Sequence, residues 1–497
     1  MSFYIGNCLL KIMSYDTVYQ KDKKNCVFSK KIIGQLNSIV PEGVSDREVD
    51  RVTYSKDYWP ITLRWLLDGK LPALPDCIVW PEKVQQVSEI VRLANIEKIP
   101  IVPFGEGSGV VGGAIPIRGG IVVDMKKMDR VIEIDDLGLM ITVQTGINGM
   151  NLERYLNRKG YTMGHMPQSI YCSSLGGWLA CRAAGQFSTK YGKIEDMVVA
   201  LEAVLPDGTI IKSKPVPRSS TGPQVEQLFL GSEGRFGIIT EATLKIWPYP
   251  EERSMLSFAF DDVYHALEAV RKIMRKNVYP AVVRIYDKNE TLRHFYETKG
   301  AKDKCMLILL MEGDKKLVKL ENEISEITCK DEGGIACGDE PVHHWLETRF
   351  NVKESSEFTP RGFIFDTVEV SVGWKNAQNL YETVIASMRK IGGVVVASGH
   401  ASHFYPQGVC FYFTFGGIPP KNATPFTFYK SVWDAIMKAC LEEQGSISHH
   451  HGIGLIRAKW LEKEIGERMQ MLKKIKSVID PHNIMNPGKM VVESEKN

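Results

Sequence analysis

Short apolar runs alternate with helical patterns along the first half of the chain. The run at 77–81 is almost wholly apolar and predicts a buried strand, and the apolar residues at 99–104 predict another. Between them, apolar residues recur at helical spacing, namely Val84, Val87, Ile90, Val91 and Ala94. Later patterns predict strands at 121–124, 131–134, 140–144, 198–205, 209–212 and 237–246, and a helix at 149–159.

The rhythm changes after Pro250, where strand patterns again alternate with helical ones. Strands are predicted at 255–260, 281–286, 306–311, 363–372, 394–397 and 409–415, and helices at 266–276, 315–329 and 376–391. This alternation predicts an α+β unit whose sheet carries helices on one side. Two further helices are predicted at 427–444 and 459–479.

These shifts divide the chain into a lead-in (1–70), a first domain (71–250), a cap (251–420) and a C-terminal helical segment (421–497). A chain of 497 residues is too long for one core, so several domains are expected. The net charge of +3 favours neither nucleic acid nor an anionic membrane as a partner.

The ten cysteines include no Cys-x-x-Cys pair, which disfavours iron–sulfur and zinc-ribbon sites and favours reduced thiols in the cytoplasm. No apolar run reaches the length of a membrane span. The sequence is compatible with peripheral contact with a membrane surface and with assembly into a homodimer.

A glycine-rich stretch at 102–113 directly follows the second predicted strand. Glycines let backbone N–H groups approach a ligand closely, as a diphosphate cradle requires. A nicotinamide dinucleotide site needs a helix after such a loop, whereas here a second apolar run follows. The alternative is a glycine-rich hairpin that binds nothing.

Three more blocks of small and polar residues follow, at 164–185, 217–223 and 231–241. Their serines and glycines offer hydroxyl and backbone donors to a polar ligand. For the first of them, close packing of small residues against a helix is the alternative interpretation.

The order of these four blocks resembles the FAD-binding module of the vanillyl-alcohol oxidase and p-cresol methylhydroxylase superfamily, the FAD-linked oxidases. The C-terminal stretch at 480–489 resembles that superfamily's flavin-contacting segment, so the resemblance spans about residues 70–490. It implies an α+β fold with a two-subdomain FAD-binding domain of the p-cresol methylhydroxylase type. A cap domain with an antiparallel sheet would follow, and a C-terminal helical segment would return to the flavin.

The resemblance also implies which residues hold FAD. The diphosphate would lie on the first block, and the other blocks would enclose the ribityl chain and ring. Because no histidine or cysteine lies between Pro103 and Gly113, dissociable FAD is expected. The residues implied are Pro103, Phe104, Gly105, Glu106, Gly107, Ser108, Gly109, Pro167, Gln168, Ser169, Ile170, Tyr171, Cys172, Ser173, Ala180, Cys181, Arg182, Ala183, Glu233, Gly234, Arg235, Phe236, Gly237, Ile238 and Ile239.

Within the superfamily, a histidine triplet in the stretch at 444–454 resembles the alkylglycerone-phosphate synthase family, also called alkyl-dihydroxyacetonephosphate synthase. Similar stretches lie at 163–196, 219–223, 280–287 and 409–413. The resemblance implies exchange of the acyl group of acyl-dihydroxyacetone phosphate for a long-chain alcohol through a flavin N5 adduct. The substrate would therefore be a small molecule or a lipid.

The candidate catalytic residues are His449, His450, His451, Tyr412 and Arg284. A histidine suits proton transfer because its ordinary pKa is near 6.5, and Tyr412 is the candidate acid. In an extended segment His449 and His451 would share a face while His450 faces away. This arrangement is poorly suited to holding one metal, so no metal site is predicted.

Three alternatives stay open for these residues. The triplet could be a solvated run, and Tyr412 could be a core tyrosine. Arg284 could pair with Asp287 instead of a substrate anion. Arg361, on a predicted loop, is the candidate for binding a substrate phosphate or carboxylate.

The competing hypothesis is an FAD-dependent 2-hydroxyacid dehydrogenase that acts on D-lactate, glycolate or 2-hydroxyglutarate. That branch typically shows His-x-Gly-Asp-Gly-Asn-x-His and Glu-His-Gly as metal ligands. Here the first motif is replaced by a stretch from His403 to Cys410, and His450 stands in place of the glutamate. A flavoprotein scaffold without activity is the third interpretation.

Overall fold

The computed structural model describes residues 29–71, 73–351 and 359–490. The described part of the predicted lead-in, residues 29–70, forms one strand of the first sheet and three helices. That sheet has four strands in the order β1-β2-β4-β3, parallel except for β1. Its strands are β1 (Val44–Ser45), β2 (Cys77–Val79), β3 (Ile101–Phe104) and β4 (Ile121–Asp124), with helices α1 (Lys30–Ile39), α2 (Glu48–Thr53), α3 (Pro60–Leu67) and α4 (Val84–Glu97).

The second sheet is antiparallel, with the order β5-β6-β10-β8-β9. Its strands are β5 (Val131–Asp135), β6 (Met140–Gln144), β8 (Val198–Val204), β9 (Ile210–Lys212) and β10 (Ile238–Lys245). Four helices accompany it: α5 (Gly149–Arg158), α6 (Leu175–Cys181), α7 (Ser188–Tyr191) and α8 (Ile194–Met197). A separate pair joins β7 (Tyr161–Thr162) to β11 (Trp247–Pro248).

The third sheet has seven antiparallel strands in the order β15-β12-β14-β13-β17-β18-β16. They are β12 (Glu252–Phe260), β13 (Val282–Tyr286), β14 (Cys305–Gly313), β15 (Ile335–Gly338), β16 (Ile364–Gly373), β17 (Val394–Tyr405) and β18 (Gly408–Gly417). Its helices are α9 (Val263–Arg275), α10 (Lys288–His294), α11 (Lys315–Asp331), α12 (Glu340–Thr348) and α13 (Ala377–Arg389). The C-terminal helices are α14 (Pro425–Glu442), α15 (Ala458–Ile465) and α16 (Arg468–Ile479).

The prediction that this third sheet carries helices on one side only is wrong. Helix α9 packs on one face with Val283 and Leu307, whereas α12 places Val342 and Trp345 on the opposite face with Met306 and Ile308. Both faces of β13 and β14 are apolar, so both faces can be buried.

Two predicted boundaries also change. The helix predicted at 459–479 is two helices, because Gly466 has φ +54 and ψ −130, a conformation open mainly to glycine. Strand β17, predicted to end at 397, continues to Tyr405 because β13 and β18 pair with it on both sides. The extension carries His400 and His403 into the sheet.

The C-terminal segment returns to the first sheet. Ile101 N–H donates to Ile484 O (2.7 Å), and Asn486 N–H donates to Ile101 O (2.7 Å), so the segment extends the sheet beside β3. As predicted, no helix follows the glycine stretch: residues 105–120 form turns and bends. Across the described part of the chain, no helix is both long and apolar enough to span a bilayer.

Candidate functional site

The glycine stretch leaves a row of backbone donors without protein partners. Among the described residues, no N–H from Gly105 to Gly109 donates to a protein acceptor. Gly107 has φ +71, and a Cβ there would lie 2.7 Å from the Phe104 ring. Unpaired N–H groups on a loop that excludes side chains fit an anionic diphosphate, so the residues present fit FAD.

Hydrogen bonds join this stretch to two of the other predicted FAD blocks. Asn148 Nδ2 donates both to Glu106 Oε1 (2.9 Å) and to Tyr171 O (3.1 Å). Asn486 Nδ2 donates to Gly113 O (3.0 Å) and to Glu233 O (2.6 Å). The C-terminal segment is therefore tied to the glycine stretch and to the block that begins at Glu233.

The remaining FAD candidates meet at one junction. Glu233 N–H donates to Ala180 O (2.9 Å), and Arg182 Nε donates to Leu230 O (3.1 Å), so the blocks at 180–183 and 233–239 adjoin. The block at 167–173 holds Ile170 in the core, whereas Tyr171 and Cys172 are exposed. The stretch at 217–223 is exposed throughout and does not join the others.

Glu233 connects this cradle to the histidine triplet. Its carboxylate accepts from Ile453 N–H (2.5 Å) and Gly454 N–H (2.9 Å), just after the triplet ends. Burial raises the pKa of the Glu233 carboxyl, and these two N–H groups oppose the rise. The sequence-predicted cofactor site and the sequence-predicted catalytic residues are thus direct neighbours.

A buried carboxylate that the sequence did not single out shapes the triplet. Glu369 on β16 accepts backbone N–H bonds from His449 (3.3 Å), His450 (3.3 Å) and His451 (2.7 Å). Arg457 donates to both of its oxygens, at 3.0 and 2.9 Å, and both side chains are fully buried. Burial acts to raise the pKa of Glu369, but Arg457, His451 and the N–H groups together lower it to about 2.

Because the triplet wraps around Glu369, its backbone is bent rather than extended, and the predicted alternation of faces is wrong. Nδ1 of His449 and Nδ1 of His450 lie 3.0 Å apart. The His451 ring instead faces Glu369, with Nδ1 3.4 Å from Oε1. Burial lowers the pKa of His449 and His450 well below the usual range, and that of His451 to about 4.

Tyr412 on β18 lies between two histidines. Its hydroxyl is 2.8 Å from His403 Nε2 and 3.0 Å from His450 Nε2. Burial raises the pKa of Tyr412 and lowers that of His403, so at neutral pH the tyrosine is protonated and the histidine neutral. The hydroxyl is held by polar partners, unlike that of a core tyrosine with one backbone partner.

Nitrogen and oxygen atoms that could bind a metal ion lie close together around Tyr412 and the triplet. Those of His403, His449 and His450 all lie within 4.8 Å of one another, as do those of Glu369, His450 and His451. The Glu369 carboxylate, however, already accepts hydrogen bonds from Arg457 and from three backbone N–H groups. The rings of His403, His449 and His450 are hydrogen-bonded at both nitrogens, so these nitrogens would have to give up hydrogen bonds to bind a metal.

Arg284 on β13 does not pair with Asp287. Its Nε donates to Tyr286 Oη (2.8 Å), and within the described residues no carboxylate lies within 4.0 Å of its guanidinium. Asp287 instead caps α10 and accepts from Tyr381 Oη (2.9 Å). Arg284 therefore keeps its charge available for an anion.

The sequence analysis missed a second arginine, Arg349, that also has no carboxylate partner among the described residues. Arg349 is largely buried, contacts Gln186 Oε1 (3.2 Å), and has no carboxylate within 4.0 Å in the described part of the chain. Burial lowers its pKa to about 10. The guanidinium carbons of Arg284 and Arg349 lie 5.5 and 5.4 Å from the centroid of the Trp345 ring, so both charges lie near one aromatic side chain.

Arg361 is exposed on the turn Thr359–Arg361, and no hydrogen bond or ion pair joins it to Tyr412 or the triplet among the described residues. Its predicted role in binding a substrate anion therefore has no support from this geometry. The sequence offered no clear sign of Arg349, since an arginine at the end of a helix is ordinary.

Comparison with known proteins places these observations in context. Residues 75–214 match the FAD binding domain family, and residues 249–490 match the C-terminal domain of FAD linked oxidases. An alkyldihydroxyacetonephosphate synthase from Dictyostelium discoideum is 31% identical over 92% of this chain and 80% of its own length. An uncharacterized FAD-linked oxidoreductase, YgcU, from Escherichia coli O157:H7 is 34% identical over 84% of this chain and 88% of its own.

A glycolate oxidase subunit, GlcD, from Bacillus subtilis is 27% identical over 92% of this chain and 95% of its own. A solved structure of alkyldihydroxyacetonephosphate synthase superposes with a TM-score of 0.79 at 27% identity, covering 93% of this chain and 86% of that one. The similar proteins thus include both of the enzyme classes that the sequence suggests.

Proposed function

Since the chain belongs to the FAD-linked oxidase superfamily and takes FAD as its cofactor, we propose that it is an alkyltransferase of the alkylglycerone-phosphate synthase type. It would exchange the acyl group of acyl-dihydroxyacetone phosphate for a long-chain alcohol, a step of ether lipid synthesis. The proposal is supported chiefly by one observation: the Tyr412 hydroxyl lies within hydrogen-bond distance of both His403 Nε2 and His450 Nε2, which places a candidate acid beside a candidate base.

In this reaction the proton acceptor is a neutral histidine and the proton donor is the neutral Tyr412. A histidine of the triplet, which burial keeps unprotonated, accepts the proton next to the substrate ketone. Tyr412, whose pKa burial raises, keeps its proton until the carboxylate leaves and then donates it. Neighbouring acid and base of this kind allow exchange without net oxidation.

The substrate phosphate would lie against Arg349, with Arg284 near the same Trp345 ring. A buried guanidinium without a carboxylate is costly unless an anion pairs with it. A phosphate offers several oxygens to the planar fork of an arginine. The two arginines therefore favour an anionic substrate.

FAD supplies an electrophilic flavin N5 when it is bound. The chain's own contribution is to hold the diphosphate on the N–H groups of residues 105–109 and to enclose the rest with the blocks at 167–173, 180–183 and 233–239. Because no histidine or cysteine lies within the glycine stretch, the cofactor is held without a covalent bond there.

A second candidate is an FAD-dependent 2-hydroxyacid dehydrogenase. It is favoured by the close approach of His403, His449 and His450 and by the similarity to a glycolate oxidase subunit. Arg284 and Arg349 would then bind the substrate carboxylate. This function requires two electrons to pass from the substrate to the flavin.

Anaerobic addition of D-lactate, glycolate or D-2-hydroxyglutarate to the yellow holoprotein separates the two functions. We expect no bleaching of the flavin band, and we expect ether product from acyl-dihydroxyacetone phosphate with hexadecanol. Rapid bleaching by a hydroxyacid would contradict the transferase and support the dehydrogenase. The Tyr412→Phe holoprotein, treated identically, controls for flavin reduction by contaminants.

A further inference from the structure

One short segment, residues 186–193, is bound at both ends to the part of the chain that matches the FAD binding domain family, and we call it the strap. It follows the proposed FAD block that ends at Ala183. Gln186 N–H donates to Met166 O (3.0 Å), and Ile194 N–H, just past the far end, donates to Ala183 O (3.2 Å). These bonds fix the base of the strap relative to the proposed cofactor site.

The first side chains of the strap hold Arg349. Arg349 Nη1 donates to Gln186 Oε1 (3.2 Å), and the guanidinium carbon lies 5.1 Å from the centroid of the Phe187 ring. Phe187 is buried, so it offers a fixed surface to the guanidinium. Nε of Arg349 is buried and has no hydrogen-bond partner among the described residues, which is costly unless a ligand supplies an acceptor.

The middle of the strap holds the bulge in β17. Ser188 Oγ lies 2.6 Å from His403 Nδ1, and Thr189 Oγ1 accepts from the next backbone N–H, that of Phe404 (3.1 Å). His403 has φ +56, a left-handed conformation that is uncommon for residues with a side chain and that persists only when its surroundings hold it. The strap therefore fixes a side chain that contacts the Tyr412 hydroxyl.

The last residue of the strap holds the histidine triplet. Lys193 is 9% exposed, and its Nζ donates to His449 O (2.6 Å) and lies 3.0 Å from Glu195 Oε1. Gly192 has φ +85, which turns the chain just before Lys193. Since Glu369 accepts the N–H groups of the triplet and Lys193 donates to one of its carbonyls, both kinds of backbone group are held.

We propose that the strap sets the spacing between the anion-binding and proton-transfer groups of the site, and that Gln186 and Lys193 are positioning residues at its two ends. The strap is short and fixed at its base, so the groups that its two ends hold keep one relative placement. A substrate whose anion binds Arg349 then presents its reacting carbon to the triplet in one geometry. The inference rests on the proposed function only for the anion at Arg349, which both candidate reactions share.

Kinetics of two single variants test the strap, because a group that positions an anion-binding residue affects binding and one that positions a proton-transfer group affects chemistry. Gln186→Leu removes an acceptor from Arg349 and should raise KM about three- to tenfold with kcat nearly unchanged. Lys193→Met removes the donor to His449 O and should lower kcat about tenfold with KM nearly unchanged. A rise in KM and a fall in kcat together in both variants would contradict the proposal.

Conservative variants separate positioning from simple damage. Lys193→Arg should recover most of the kcat lost in Lys193→Met, because a guanidinium can also donate to His449 O. Gln186→Glu keeps an acceptor for Arg349 but adds a negative charge that competes with the substrate anion, so it should raise KM more than Gln186→Leu does. Recovery of KM in Gln186→Glu would mean that Arg349 binds no substrate anion, and the proposal would fail.

A double-mutant cycle tests whether Gln186 acts through Arg349. In the Arg349→Met background, Gln186→Leu should cause no further rise in KM, and a multiplied effect would refute the link. Lys276→Met is the matched control, because it removes a lysine that donates to Thr328 Oγ1 (2.9 Å) outside the strap. It should leave both constants unchanged, and a loss of kcat as large as that in Lys193→Met would contradict the assignment of Lys193.

A readout without turnover keeps this inference separate from the proposed function. Calorimetry of inorganic phosphate binding to the holoprotein should show about three- to tenfold weaker binding in Gln186→Leu, none in Arg349→Met and no change in Lys193→Met. Equal weakening in Gln186→Leu and Lys193→Met, or no binding to the wild type, would overturn the strap whatever reaction the enzyme performs. The expected split of KM and kcat with a hydroxyacid, and no ether product, would overturn only the transferase.

Discussion

The proposed FAD cradle and the cluster of histidines around Tyr412 are adjacent yet built in opposite ways. The diphosphate part of the proposed cradle consists of backbone N–H groups on one glycine-rich stretch, where a Cβ at Gly107 would press on Phe104. The cluster uses side chains from residues 188 to 450, and the sequence marked neither Ser188 nor Tyr405 as a partner of the triplet or of Tyr412. The proposed cradle depends on local backbone shape, and the cluster depends on the register of distant strands.

This difference predicts how each region should respond to change. A backbone cradle with several donors should weaken gradually, because each N–H contributes only part of the binding. A cluster of side chains that hold one another in place should be more sensitive to the loss of a single group. The variants below test that contrast, from the largest expected effect to the smallest.

Tyr412→Phe should lower turnover about 10²- to 10⁴-fold, the usual contribution of a general acid or base. FAD should remain bound at one equivalent, since no cradle hydrogen bond involves Tyr412. Steady-state kinetics and the flavin absorbance measure both effects. Loss of FAD would show that Tyr412 belongs to the cradle instead.

Glu369→Gln should cost about 3–5 kcal/mol of unfolding free energy, because it leaves the buried Arg457 charge uncompensated. Urea denaturation measures this. Glu326→Gln, which breaks an exposed pair with Lys330, should cost less than about 1 kcal/mol and serves as the control. Equal losses in the two variants would mean that Glu369 does not support the triplet.

The Glu369 carboxyl also makes the free energy of unfolding depend on pH. Its folded pKa of about 2 lies below the ordinary value of about 4.3, so its stabilisation is present above pH ~4.3 and is lost as the pH falls toward 2. Wild-type protein should therefore lose more stability over that range than Glu369→Gln. Parallel acid titrations of the two proteins would contradict the assignment.

Arg349→Met should raise KM for a phosphorylated substrate about 10- to 100-fold, with unchanged or higher Tm because a buried unpaired charge is removed. Arg361→Met is the matched comparison on an exposed turn, and we expect little change in its KM. A larger effect at Arg361 would restore the assignment predicted from the sequence.

Gly107→Ala should weaken FAD binding about five- to tenfold, because Gly107 has φ +71 and an added Cβ would press on Phe104. Gly300→Ala introduces a similar backbone strain (φ +86) where nothing lies within 4 Å of the Cβ. It should lower stability without changing FAD affinity. Fluorescence titration of the apoprotein with FAD compares them.

The sequence identifies the glycine-rich stretch because its chemistry is local, and its role in holding the diphosphate stays a prediction. Glycines at 105, 107 and 109 limit side chains wherever the loop lies, and the apolar runs beside it form the predicted strands. The α+β fold and FAD also followed from the order of the blocks.

The errors have identifiable physical causes. The triplet was expected to alternate because an extended backbone was assumed, whereas Glu369 bends it. His403 was beyond the predicted end of β17, and pairing with β18 extended that strand through a bulge. Arg349 looked like an ordinary cation at a helix end, and only its lack of a carboxylate partner distinguishes it.

The sequence alone determined the alternation of strands and helices, the glycine-rich stretch proposed to hold FAD, and the presence of histidines and a tyrosine suited to proton transfer. Only the tertiary structure decided which of those side chains meet. Backbone conformation is set by neighbouring residues, so composition reveals it. The hydrogen bonds around Tyr412 depend on strand register, a bulge at His403 and a buried carboxylate about 80 residues from the triplet, and none of these leaves a local signal.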